Sequence, residues 1–212
     1  MLQIKRFTFN NFMVNTYILW DETGKAVVVD AACYSQKEQQ EFSSFIENQN
    51  LTIERHLNTH CHIDHILGNE YLATTYKVLP EYHIKSIPFF VTAREIGESF
   101  GFKIGWIPEA GHFLVDGEEV RWNQSVLKVL YTPGHAEGSL CFYSEAEKFV
   151  ITGDVLFKDT IGRTDLPSGN FDLLMQSIKT RLFTLPPDTV VFPGHGPETT
   201  IGYEMAHNPF IR

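Results

Sequence analysis

The hexapeptide His60-Cys61-His62-Ile63-Asp64-His65 constrains this chain more than any other stretch. It reads H-x-H-x-D-H and puts three imidazoles and a carboxylate within six residues, all groups that bind metal ions or polarise water. Before it, Ile53 to Thr59 reads as a mostly buried strand. After it, Asp64 to Tyr76 carries Ile66, Leu67, Tyr71, Leu72 and Tyr76 close to helical spacing. A cluster where a strand passes into a helix is where an open α/β sheet puts its ligand site. In an extended segment His60 and His62 project to one side. Asp64 and His65 then enter the helical turn, with Asp64 placed as its N-cap. Two pairs of ligand-type groups aimed at slightly different centres predict two metal ions. Cys61 points away from the histidines on either side and reads as a small buried residue.

A catalytic metal needs about four ligands, counting water, so the hexapeptide must be completed from elsewhere. Three turns repeat one grammar, an apolar strand, a glycine, then one His or Asp at the tip. Val126 to Tyr131 leads into Thr132-Pro133-Gly134-His135, Phe149 to Thr152 into Gly153-Asp154, and Val190 to Phe192 into Pro193-Gly194-His195-Gly196-Pro197. Glycine lets such a backbone turn sharply and come close to an ion.

In this order, H-x-H-x-D-H, T-P-G-H, G-D and P-G-H-G-P resemble the metallo-β-lactamase-fold hydrolases, in particular the short bacterial glyoxalase II-like enzymes (hydroxyacylglutathione hydrolases). Gly153 to Phe157, Ile161 to Pro167 and the tail Gly202 to Phe210 carry the same resemblance, which covers nearly the whole chain. It implies an α/β (α+β) fold, the four-layer αββα sandwich, with the metals at one sheet edge. It implies His60, His62 and His135 on one ion and Asp64, His65 and His195 on the other. Asp154 and a water or hydroxide would bridge the two. Asp64 and Asp154 are then the catalytic carboxylates, and Asp30 supports the site from behind; read from sequence alone, Asp30 is equally a turn carboxylate. Zinc is the expected metal, with iron and manganese as alternatives for such a mixed His/Asp donor set.

The implied activity is hydrolysis of a small-molecule thioester, acyl-glutathione or a relative. A thiolate leaves readily because its thiol has a pKa of about 8.5, so the absence of an obvious general acid near the motifs is no obstacle. Rival members of the fold differ at readable positions. Flavin-linked di-iron proteins have a glutamate at the His62 position and an added flavin domain. Metallo-β-lactamases lack an aspartate at the Asp154 position and are exported. The alternative that stands is a mononuclear iron persulfide dioxygenase, which shares most of the motifs and holds its iron at the positions of His60, His135 and Asp154. Its last histidine lies in a P-A-H turn rather than P-G-H-G-P. A binding protein without catalysis would have lost ligand-type residues, and none of the seven is missing.

Two departures from the family pattern bear on substrate. Only residues 196–212 follow His195, too few for the helical domain with which longer glyoxalase II enzymes grip glutathione. The usual T-P-G-H-T-P-G-S run has Ala136-Glu137 in place of its second T-P, which puts a carboxylate at the site's rim, either solvated or repelling anionic acyl groups. Arg163 and Lys158 are candidate anchors for a substrate carboxylate; their competing role is pairing with Asp165 and Asp159.

The chain has 212 residues, 43% hydrophobic and 20% charged, with no linker-like or low-complexity run, which predicts one domain over 1–212. No apolar stretch approaches the length needed to span a bilayer, no signal-peptide core follows Met1, and the three scattered cysteines suit reduced thiols. The cytoplasm is the expected location. A net charge of −9 disfavours a nucleic acid partner. Strands are expected over residues 2 to 9, Met13 to Trp20, Lys25 to Asp30, Glu119 to Trp122, Ser125 to Tyr131, Ser139 to Tyr143 and Lys148 to Thr152. Helices are expected over Ser35 to Asn48, Phe171 to Phe183 and Thr199 to Met205. Pro80 to Gly117 is unusually aromatic, with fair helical periodicity from Pro88 to Ser99. It reads as a core helix and packed loop, or as an apolar wall beside the metals. His83 and His112 have no partner motif.

Overall fold

Seven consecutive buried residues form one strand, Val14–Trp20, and their side chains divide by parity: Ile18 and Trp20 enter one core, Tyr17 and Leu19 another. A strand covered on both faces needs a layer on each side of its sheet. The computed structural model describes residues 2–211 and supplies both layers. The first sheet runs β1 (Gln3–Phe9), β2 (Val14–Trp20), β3 (Lys25–Val29), β4 (Thr52–Leu57), β5 (Pro80–Tyr82) and β6 (His112–Phe113), antiparallel up to β3 and parallel from β3 on. The second contains β7 (Glu119–Trp122), β8 (Ser125–Tyr131), β9 (Leu140–Ser144), β10 (Phe149–Gly153), β13 (Val190–Pro193) and β14 (Thr199–Thr200), in the order β14-β13-β10-β9-β8-β7, with only β10 and β13 parallel. A small hairpin, β11 (Leu156–Phe157) and β12 (Thr160–Ile161), follows β10.

The cores show the layering. Val27, Val29 and Leu57 of the first sheet meet Leu127, Val129, Leu140, Phe142 and Ile151 of the second. On the first sheet's outer face, Ala26 and Val28 meet Phe42 and Ile46 of α1 (Gln36–Asn48) and Leu72 of α2 (Asn69–Thr75). On the second sheet's outer face, Cys141, Val150 and Val191 meet Leu174 of α4 (Phe171–Ser177) and Ile201 of α5 (Ile201–His207). This is the αββα sandwich. Helix α1 starts at a capping box, Ser35 accepting from the Glu38 backbone N–H while the Glu38 carboxylate accepts from Ser35 N–H at 2.8 Å. A fourth core lies beneath α3 (Ile87–Ser99), where Ala93 and Phe102 join Cys61, Ile63, Ile66, Leu67 and Tyr82.

Three expectations need correction. The helix expected from Asp64 is a single 3-10 turn, Ile63–His65, followed by α2 from Asn69. Asp64 lies inside that turn and is not an N-cap; its carboxylate faces His195 instead, with Oδ2 3.3 Å from Nε2. Gly68 causes the break: its N–H donates to Ala31 O at 2.8 Å, and a Cβ there would meet the same oxygen at 2.8 Å. The helix expected over Phe171 to Phe183 ends as α4 at Ser177 and continues as a π-turn, Ile178–Leu182. The last helix begins two residues late because Thr199 and Thr200 pair with Val191 and Val190 as β14, and Thr200 then caps α5.

A candidate metal centre

Loops from both sheets converge at one end of the sandwich. Leaving β4, Asn58 and Thr59 bring in His60 and His62. The 3-10 turn then carries Asp64 and His65, and Asn58 Nδ2 holds its last carbonyl, donating to His65 O at 3.2 Å. Asp30, at the end of β3 with φ +52°, is buried behind them. It accepts from Thr59 N–H at 2.7 Å and from Thr59 Oγ1 at 2.6 Å, and its Oδ2 lies 2.9 Å from His65 Nδ1. Of the two roles open to Asp30, support of the site is the one the hydrogen bonds describe.

The second sheet contributes His135 after β8, Asp154 after β10 and His195 after β13. Gly153 turns at φ +50°, a conformation glycine adopts without steric cost. Gly194 is needed for closeness, since a Cβ there would stand 2.8 Å from His65 Cε1 and closer still to Asp154 Oδ1. Asn15 fastens the His195 turn from the first sheet: its N–H donates to Gly194 O at 2.7 Å and its Nδ2 to Gly196 O at 2.9 Å. Tyr17 Oη donates to Pro193 O at 2.7 Å.

The seven side chains singled out from sequence meet in overlapping groups of three, His60 with His62 and His135, Asp64 with His65 and His195, and His60 with His65 and Asp154. Asp154 stands between the first two groups. Its Oδ1 is 3.3 Å from His65 Nε2, and its Oδ2 is 3.6 Å from His135 Nε2 and 3.5 Å from His195 Nε2. His135 Nε2 lies 2.9 Å from His62 Nδ1 and 3.3 Å from His60 Nε2. Outer contacts orient three rings. His65 Nδ1 faces Asp30, His135 Nδ1 faces Arg163 O at 2.8 Å and His195 Nδ1 faces Phe12 O at 3.0 Å. A ring that donates its Nδ1–H outward turns a bare Nε2 inward, the tautomer a metal requires.

The donor set fits the divalent ion that such a fold implies. His65 Nε2 and Asp154 Oδ1 are buried and have no hydrogen-bond partner among the described residues. Charge divides the cluster in two. Burial, reinforced by neighbouring imidazoles, holds His60 well below the ordinary range; burial holds His62 down at about 3 and also lowers His135. Burial opposes protonation of His65 and His195 as well, but the carboxylates of Asp154 and Asp64 overrule it, raising His65 far above its usual value and His195 to about 9. The same pairing overrules burial at Asp64 and Asp154 and keeps both ionised. One group thus presents neutral lone pairs and the other anionic oxygens, both of which attract a dication.

Arg163 and Lys158 both line the cavity above the cluster, a space of about 940 Å³. The Arg163 guanidinium is paired with Asp165 at 2.7 and 2.8 Å, so its pairing role is the one observed, and its backbone carbonyl orients His135. Lys158 does not pair with Asp159; its ammonium lies 5.9 Å from the Tyr203 ring centroid, and Tyr203 Oη donates to Asp159. Glu137 lines the same cavity, half-exposed and paired with Lys85 Nζ at 2.9 Å. Cys61 is buried in the α3 core as expected. His83 stacks on Tyr131 at 4.5 Å, and His112 Nε2 lies 2.8 Å from Glu118. The ambiguous aromatic stretch plays both of its parts, with Phe102 buried in the core while Phe89, Ala93, Ile96 and Phe100 line the cavity. Sequence reasoning passed over Asn15, Tyr17, Asn58 and Thr59, which act through backbone carbonyls or through Asp30.

A four-layer αββα sandwich with a His/Asp cluster at its rim defines a class of divalent-metal-binding proteins that includes metallo-hydrolases. The chain belongs to the Metallo-beta-lactamase superfamily, whose family model matches residues 10–195. It is 32% identical over 207 residues to hydroxyacylglutathione hydrolase GloC of Haemophilus influenzae, covering 94% of this chain and 93% of that one. Among solved structures it is similar to the B3 metallo-beta-lactamase BLEG-1 (TM-score 0.88, 32% identity, 99% of both chains). It is also similar to TTHA1623 in a di-iron-bound form (TM-score 0.86, 30% identity, 97% of this chain and 99% of that one). ETHE1 from Myxococcus xanthus superposes with TM-score 0.80 at 28% identity over 98% of this chain and 83% of that one.

Proposed function

We propose that the protein hydrolyses thioesters, acyl-glutathione or a related acyl thiol, using two divalent metal ions, zinc first among them. The observation that carries this reading is the second group of donors. Asp64, His65 and His195 lie within reach of one another beside His60, His62 and His135, with the Asp154 carboxylate between the two groups. The seven donors suffice for three to each of two ions, with Asp154 placed to serve both. Bound in such a site, paired dications lower the pKa of a coordinated water and polarise a carbonyl.

The chain's own residues do the rest. Asp64 and Asp154 are held ionised, the one able to accept a hydrogen bond from an attacking water, and neither has a proton to give a leaving group. A leaving group that departs unprotonated suits this site, and a thiolate is one. The GloC relative's name agrees with that chemistry. Cys33, Cys61 and Cys141 are free and buried, as suits a reducing compartment such as the cytoplasm. Among the described residues no helix is long and apolar enough to cross a membrane.

The second reading, an iron persulfide dioxygenase, is favoured by the likeness to ETHE1 and by His60, His135 and Asp154 standing side by side. Thiol release and O₂ uptake separate the two. Zinc-loaded and iron-loaded samples are given S-lactoylglutathione or a glutathione persulfide, in air and under argon. Oxygen-independent thiol release by the zinc form is expected. Persulfide-dependent O₂ uptake by the iron form alone, with no thioester cleaved by either, would establish the dioxygenase.

A further inference from the structure

Positions 89, 93, 96 and 100 fall at i, i+4, i+7 and i+11, one stripe along α3 and its C-terminal residue. Phe89, Ala93, Ile96 and Phe100 of this stripe, together with Phe12, line the cavity whose floor holds His62, Asp64, Asp154 and His195. The stripe starts against the donors, with the Phe89 ring 5.0 Å from the His62 ring. It ends where Phe100 meets Phe12 edge-on at 5.1 Å. At a rise of 1.5 Å per residue the eleven steps span roughly 16 Å. Ile96 is 39% exposed and Phe100 56% exposed, which leaves apolar surface in water at the mouth of a reaction site.

Three cations also line the cavity, Lys85 just before α3, and Lys158 and Arg163 on the β11–β12 segment and the residues after it, among Phe157, Leu166 and Pro167. Arg163 and Lys85 are neutralised by Asp165 and Glu137, whereas Lys158 makes no ion pair among the described residues. The cavity is therefore mostly apolar, with a continuous apolar stripe on α3 and an unpaired cation, Lys158, on a separate element. A three-carbon hydroxyacyl group would reach only Phe89 and leave the rest of the stripe wet.

We propose that the acyl group of the substrate is apolar, an aromatic ring or a medium-length chain, and that it lies along Phe12, Phe89, Ala93, Ile96 and Phe100. The thiol carrier is anionic and lies by Lys158. This rests on the thioesterase reading and adds to it the division of the substrate between the stripe and Lys158. Charge complementarity fixes the direction, since the apolar wall offers an anionic carrier nothing and Lys158 offers it an unpaired cation.

The test uses one carrier, glutathione, with acetyl, D-lactoyl, hexanoyl and phenylacetyl groups, and zinc-loaded full-length protein. A methylene half-buried against a wall is worth about twofold, so four of them predict kcat/KM at least about tenfold higher for hexanoyl than for acetyl. Ile96→Asp and, as a milder second variant, Phe100→Ser should each pull that ratio towards one. Lys158→Ala should raise KM for every acyl group alike. Binding is read separately by calorimetry with the non-hydrolysable ketones S-(2-oxoheptyl)glutathione and S-(2-oxopropyl)glutathione. The longer ketone is expected to bind about tenfold tighter, a preference that Ile96→Asp reduces. Equal binding of the two ketones, or D-lactoyl as the preferred acyl group, overturns the proposal. If no thioester is cleaved, the thioesterase reading falls, and the ketone pair still decides for or against the apolar wall.

Discussion

At the scale of single residues, Asp154 is the group on which the cluster depends, because its two oxygens face donors from both halves. Asp154→Asn keeps the shape and removes the charge. The expected result is loss of one metal equivalent by elemental analysis and a fall in kcat of at least about 100-fold, the scale of losing one strong electrostatic contact in the transition state. Near-normal turnover would show that the carboxylate does not lie between two ions. His56 is a residue of the opposite kind, remote in role yet costly. It is buried in β4 with neither ring nitrogen hydrogen-bonded among the described residues, and burial alone pushes its pKa down to about 3 from 6.5. Between those values the unfolded chain holds a proton that the folded chain refuses, so stability falls as pH drops below about 6.5. The wild type should lose about 2 kcal/mol relative to His56→Leu between about pH 7 and 5, and differ little in slope above that range. Urea unfolding of the two proteins across this range measures it, and parallel pH profiles would show that the imidazole is solvated or paired.

At the scale of elements, the 3-10 turn Ile63–His65 owes its place to Gly68, packed on Ala31. Gly68→Ala would bring a methyl to 2.8 Å from Ala31 O and 3.1 Å from Cys33 Sγ, so backbone must move. Overpacking of this kind costs about 1–3 kcal/mol, and here the shift passes directly to Asp64 and His65. Lower thermal stability together with weaker metal retention is expected; unchanged values of both would mean that the turn is held by Asn58 and Asp30 alone. This break was not legible in the sequence, because Ile66, Leu67, Tyr71 and Leu72 keep helical spacing across it while the reason for the interruption lies 37 residues upstream at Ala31. Continuous apolar runs such as Val27 to Val29 did announce buried strands, and the strand–glycine–His grammar brought out residues that prove to be neighbours. Strands as short as β5, β6 and β14 carry no periodicity of their own. The contacts that orient the rings were beyond reach as well, since His195 is fixed by a carbonyl 183 residues away and His135 by the Arg163 backbone. Side-chain patterns record which face is apolar; they do not record which backbone oxygen a ring will meet.

At the scale of the whole molecule, the cluster is a joint between two sheets. His60, His62, Asp64 and His65 follow β4 of the first sheet, while His135, Asp154 and His195 follow β8, β10 and β13 of the second. The halves also meet without metal, through the shared core, through Leu140 N–H donating to Thr59 O at 2.7 Å, and through Asn15 and Tyr17 on the Pro193 to Gly196 turn. Chelation should therefore leave a folded protein with unchanged far-ultraviolet dichroism and a single cooperative melt. What it removes is linkage: an ion bound only by the native state stabilises by about 2.7 kcal/mol at a hundred times its Kd. For a chain of this length that corresponds to a drop of roughly 5–10 °C in Tm. Readdition of zinc should restore the melting temperature. His62→Ala, which deletes a donor from the first sheet, and His135→Ala, which deletes one from the second, should each shrink the zinc-dependent shift, because each leaves that ion one donor short and more weakly held. A Tm indifferent to chelator and zinc would show that the donors do not clamp the sheets. Loss of cooperative unfolding in the stripped protein would show that the core between the sheets is too weak to hold them without it.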